Sequence, residues 1–181
     1  MLQLQLEDRE FFSEQTGEFY KVKGQTLTLE HSLISVYKWE SKWHKPFLSS
    51  DEKTQEESLD YIRCMTIGQV PKDEVYLSLS QEQADKIQNY IQDSMTATWF
   101  NERGGPQKRS REIVTAELIY YWMIALNIPF ECQKWHLNQL LTLIRVCSIK
   151  QEPGKKMSKA DINRQNHALN AARKAKMHSH G

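Results

Sequence analysis

Cysteine is scarce in this 181-residue chain, and Cys64, Cys132 and Cys147 are odd in number and widely spaced. That argues against a disulfide framework. Two of them sit in apolar helical patterns and read as buried free thiols of a reducing cytosol. Long apolar runs are missing as well. The longest, residues 119–126, is too short to span a membrane. The start, MLQLQLEDRE, lacks the basic region and apolar stretch of a signal peptide. There is no GxGxxG, no GKS/T phosphate loop, no HExxH and no CxxC. Internal repeats and long low-complexity tracts are also missing. These absences point to a soluble intracellular protein with no motif on which to build catalysis.

What is present suits one folded domain. The chain is 39% hydrophobic and 10% aromatic, enough for a real core and too apolar for disorder throughout. Net charge is only +1, but it is unevenly placed. From Lys150 onward eight Lys/Arg oppose Glu152 and Asp161, so the C-terminal stretch carries +6 and the rest −5. A basic tail on an acidic body suits nucleic acid, an acidic protein surface or the acidic face of a second copy.

Periodicity places the elements. Leu2, Leu4 and Leu6 alternate as in a half-buried strand, and Val22, Leu27 and Leu29 alternate about Gly24, which predicts a hairpin there, with Gly17 at an earlier turn. Residues 31–43 carry a helical pattern that Pro46 ends. Thr54/Glu57 and Ser80/Gln83 are capping boxes opening two more helices, the second with Ala84, Ile87, Tyr90 and Ile91 inward. Between them Val75, Leu77 and Leu79 alternate like a strand, and residues 94–100 have strand character. Residues 101–111 read as an exposed loop. Residues 112–126 are apolar on almost every side and predict a central helix. Residues 132–149 predict a partner helix with Leu137, Leu140, Leu141, Ile144 and Cys147 on one face, each contributing roughly 1.5–3 kcal/mol on burial. The five tryptophans (39, 43, 99, 122 and 135) read as core, with Trp39 or Trp43 marking an interface if exposed.

The predicted fold class is α+β, mostly helical. A small N-terminal antiparallel β-sheet or hairpin packs on a helical domain with a central αα-hairpin, and a C-terminal basic helical arm follows. Residues 1–150 form the body (β-rich 1–30, helical 31–150) and residues 151–181 a hinge plus the arm. Only Ile162 and Leu169 are large and apolar on that arm, helped by Ala168, Ala171, Ala172 and Ala175. An isolated helix of this length is marginal in water, so it is expected to fold against a partner.

Candidate chemistry is sparse. Cys132 and His136 stand at i, i+4, a spacing that presents two ligands to zinc. A structural site wants four, and no second pair supplies them, so the expectation is a buried thiol and a helix-surface histidine, with no metal. His178 and His180 read as solvated tail residues. No cysteine has a neighbour that marks a nucleophile, and no carboxylate pair stands out, so no catalytic or cofactor residue is assigned. Two basic features suit anions. Lys108, Arg109 and Arg111 lead into a helix N-terminus. Lys155, Lys156, Lys159, Arg164, Arg173, Lys174 and Lys176 line the arm. With no aromatic for base stacking there, protein ranks ahead of nucleic acid as its partner.

At WHLNQLLTLIRVCSIK followed by KKMSKADINRQNHALNAARKAK, the sequence resembles a small tailed-bacteriophage family of tail assembly chaperones. The likeness runs back through REIVTAELIYYWMIALNIPFECQ and HSLISVYKWESKWHKPFLS. It implies a non-enzymatic viral morphogenesis protein of mixed α/β or largely helical fold, prone to self-association and acting in the cytoplasm of the infected bacterial host. The implied partners are tape measure or tail proteins, and the arm's own pattern makes Ile162, Leu169, Ala172 and its basic residues the expected contacts. A structural virion component (neck, tail or head accessory protein) and a DNA-binding phage factor are the alternatives.

Overall fold

Leucine alternation at the N-terminus does form a strand, but the strand's partner lies far along the chain. In the computed structural model β1 (Leu2–Leu6) pairs antiparallel with β4 (Gln25–Leu29), Leu4 opposite Leu27. Inside that pair β2 (Arg9–Ser13) pairs with β3 (Glu18–Val22), Phe11 opposite Tyr20 and Phe12 opposite Phe19. The structure describes residues 1–13, 17–100 and 112–151, together with Asn163 and His167.

The expected hairpin about Gly24 is therefore corrected. Gly24 lies in the short link between β3 and β4, which pair with different strands, its N–H donating to Asp8 Oδ1 at 2.6 Å. The turn belongs near Gly17, whose φ of +70° is left-handed. Gly24 is needed because the outgoing and returning chains touch here. A Cβ would meet the Leu6 carbonyl oxygen at 2.8 Å and Asp8 Oδ1 at 3.2 Å. Gly24→Val is expected to cost about 1–3 kcal/mol, read as a lower urea midpoint at unchanged m value.

The helices pack on the inner side of β1 and β4, where Leu4, Leu6, Leu27 and Leu29 are buried. α1 (Leu33–Trp43) starts at Ser32, whose hydroxyl accepts the Ser35 N–H, and buries Leu33, Val36 and Trp39. α2 (Gln55–Met65) opens on the Thr54/Glu57 capping box, with both reciprocal bonds formed. The run around Val75 is α3 (Asp73–Leu77), not a strand: the acidic Asp73 and Glu74 occupy its first turn, where the helix dipole favours them. α4 (Gln81–Gln92) opens on the Ser80/Gln83 box and buries Ile87 and Tyr90. Residues 94–100 are irregular rather than a strand, and Met95 takes a left-handed φ of 49°.

α5 (Ala116–Ala125) buries Ala116, Ile119 and Met123 and leaves Tyr121 and Ile124 exposed, so it is not buried on all sides as expected. A 3-10 turn (Phe130–Lys134) and then α6 (Leu137–Gln151) follow, with Leu137, Leu140 and Ile144 buried. The αα-hairpin expected of α5 and α6 gives way to packing of α5 chiefly on α1, because the 3-10 turn separates the two helices. Of the tryptophans, Trp39 is core and Trp43 and Trp122 are half-buried, whereas Trp99 and Trp135 are exposed. The architecture is α+β and mostly helical, and no described helix is long and apolar enough to cross a membrane.

Two compact units divide the chain, Met1–Cys147 and Ser148–Gly181. The first holds the core. In the second, α6 ends at Gln151, and Asn163 and His167 are helical and exposed.

Candidate protein-binding face

A group of buried titratable side chains lies inside the first unit. His31 sits just before the Ser32 cap, and its backbone carbonyl accepts the Leu137 N–H at 2.7 Å, which ties the start of α1 to the start of α6. His31 Nδ1 pairs with the Tyr61 hydroxyl of α2. Its ring meets that of His136 edge-on, with centroids 5.0 Å apart. His136 Nε2 donates to the Tyr90 carbonyl at 2.9 Å, while its Nδ1 accepts the Asn138 N–H at 3.3 Å. Tyr90 closes the group by donating its hydroxyl to Glu30 Oε1 at 2.5 Å.

This constellation is sealed. His31 is 2% exposed and His136 5%, so neither ring reaches a substrate. The expected helix-surface role of His136 is thereby corrected. Cys132 lies in the 3-10 turn and His136 precedes α6, so the assumed i, i+4 helical face does not exist. Burial first, and then the neighbouring His136, lower the His31 pKa to about 3. Burial likewise pushes the Tyr61 phenol well above its ordinary range, and it raises the Cys132 and Cys64 thiols. Each shift favours the neutral form, which suits a structural interior. Among the described residues no cluster of three or more His, Cys, Asp or Glu is placed to hold a metal.

Carboxylates do the remaining tying. Asp60 of α2 accepts from Lys42 Nζ at 2.5 Å and Trp43 Nε1 at 2.9 Å. Desolvation would raise its pKa, but these donors outweigh it and hold the carboxyl below its usual range. Glu40 of α1, 7% exposed, accepts the Phe47 N–H and the Ala116 N–H, each at 2.7 Å. The second bond satisfies an orphan donor of the first turn of α5 and fixes where that helix begins.

What α5 presents outward is apolar. Tyr121 is 63% exposed and Ile124 61%, three residues apart on one face, with Tyr120 four residues before Ile124. Tyr120 joins them to aromatic neighbours: its ring lies 6.1 Å from that of Tyr37 of α1 and 6.3 Å from that of Phe130 in the 3-10 turn. Both neighbours are exposed too. The Tyr120 hydroxyl is held by Gln133 Oε1 at 2.9 Å, which pins the ring in place. Glu117, one helical turn before Tyr121, and Glu131, next to Phe130, are exposed.

Sequence reasoning assigned the arm and missed this face. Ile162, Leu169, Ala172, Lys155, Lys156, Lys159, Arg164, Arg173, Lys174 and Lys176 lie outside the described residues, as do Lys108, Arg109 and Arg111. The missed signal was the all-round apolarity of residues 112–126, more than one core needs. No known protein family, curated protein or solved structure matches this chain.

Proposed function

We propose that this chain is a non-enzymatic bacteriophage morphogenesis protein, a tail assembly chaperone that holds tape measure or tail proteins in the cytoplasm of the infected host. The observation that carries the reading is the exposed Tyr121–Ile124 face, with exposed Tyr37 and Phe130 against the adjoining Tyr120, on a body whose titratable interior is sealed. A chaperone needs apolar surface offered to a client without unfolding. The resemblance noted above supplies the client, and the basic arm of residues 155–177 supplies a second, charge-guided contact.

The test is binding of a co-expressed tape measure protein. Tyr121→Asp with Ile124→Asp is expected to weaken client binding at least about tenfold. The thermal midpoint should barely move, since exposed substitutions stay within about 0.5 kcal/mol. Deleting residues 155–181 should weaken binding further, and more at low salt than at high. Client binding unaffected by both changes would count against the proposal.

A further inference from the structure

A second surface lies at the β-ribbon, away from α5 in sequence. We infer that the outer edge of residues 21–26 accepts an added β-strand from a partner protein, an extended segment alternating apolar and acidic side chains. The third-strand position beside this edge is already begun. Residues 65–67 bond along β4, with Glu30 N–H donating to the Met65 carbonyl at 2.9 Å, Leu29 bridging to Thr66, and Ile67 N–H donating to the Thr28 carbonyl at 2.9 Å. Gly68 then takes a left-handed φ of +86° and the pairing ends. Among the described residues β3 has β2 as its one strand neighbour, and β4 has β1 plus that short bridge.

The diverging chain leaves a groove of about 800 Å³ between residues 21–26 and residues 67–72. Exposed Ile67 and Val70 form its apolar wall. Lys21, Lys23 and Lys72 line it against Glu74, so the groove is basic on a body that is acidic. The Lys21–Glu10 pair, 2.6 Å apart, is exposed at both ends and leaves Lys21 available to a stronger partner. Lysines on an edge also choose the occupant. A second copy pairing antiparallel about Val22 would set each Lys21 against the other copy's Lys23, and like charges across a strand pair repel. An acidic strand gains from the same residues, with main-chain bonds giving affinity and Ile67 and Val70 seating alternate side chains.

Soluble alternating peptides probe this with the full chain. A Val-Glu peptide, titrated to about 1 mM, is expected to move amide NMR signals of residues 21–26 and 67–72. Its N-methylated analogue, which lacks backbone donors, should not. Lys23→Glu with Lys72→Glu, both exposed and away from the core, should transfer the preference to a Val-Lys peptide. Equal shifts with the N-methylated or the Val-Lys peptide on the unmodified chain would overturn the inference, as would no shifts at all. Concentration-dependent dimers broadening the same signals without peptide would overturn it in favour of a second copy.

Discussion

Glu40→Ala is expected to destabilise the protein by about 2–6 kcal/mol. The carboxylate is buried in α1, and each oxygen receives one backbone N–H, from Phe47 and from Ala116. Alanine has no acceptor and leaves both donors buried, where each unmade bond costs about 1–3 kcal/mol. Domains of this size have roughly 5–15 kcal/mol to lose, so the variant should unfold at far lower urea. Glu40→Gln keeps one acceptor oxygen but turns an amide N–H₂ toward the other donor, so it should fall between. The loss also has a functional consequence, because Ala116 begins the helix that presents Tyr121 and Ile124. A shift under about 1 kcal/mol for Glu40→Ala would mean that the two bonds do not form in solution.

The second large effect is acid sensitivity. His31 is held at about 3 in the fold against 6.5 in the unfolded chain. The unfolded state therefore binds a proton that the folded state refuses, and stability falls as pH drops from about 6.5 toward 3. At about 1.4 kcal/mol per pH unit the loss across that window is on the order of 5 kcal/mol, and above pH 6.5 the contribution is complete and flat. The groups against the ring agree with this sign: Tyr61 stays a neutral phenol, and His136 faces the ring edge-on. Thermal midpoints between pH 7 and pH 4 should fall steeply for the native chain and less steeply for His31→Gln. Parallel curves for the two would remove His31 as the cause.

Much of the fold was legible because its determinants are local. The Thr54/Glu57 and Ser80/Gln83 boxes formed as their spacing demands, and the periodicity of residues 31–43 became α1. Failures came where partners are distant. Gly24 looked like a hairpin turn because local reading sees a glycine, not that Asp8 and Leu6 pass beside it. β2 escaped because Phe11 and Phe12 are adjacent and point to opposite sides, Phe11 stacking on Tyr20 and Phe12 tilting against Phe19. The short Val75–Leu79 alternation was outweighed by two acidic residues suited to a helix start. His31 gave no signal at all, since Tyr61 is 30 residues away and its further ring neighbours are Phe47, beyond α1, and His136, in the segment before α6. The α5 face was misread for a different reason. Apolar composition says a helix is sticky, but not whether its own chain or another covers it.

Co-elution of the full chain with a co-expressed tape measure protein on size exclusion is the most direct test of the central claim. A stable complex at physiological salt, lost on combining Tyr121→Asp and Ile124→Asp with removal of residues 155–181, is the predicted result. Separate elution of the two folded proteins, or a complex indifferent to those changes, would contradict it.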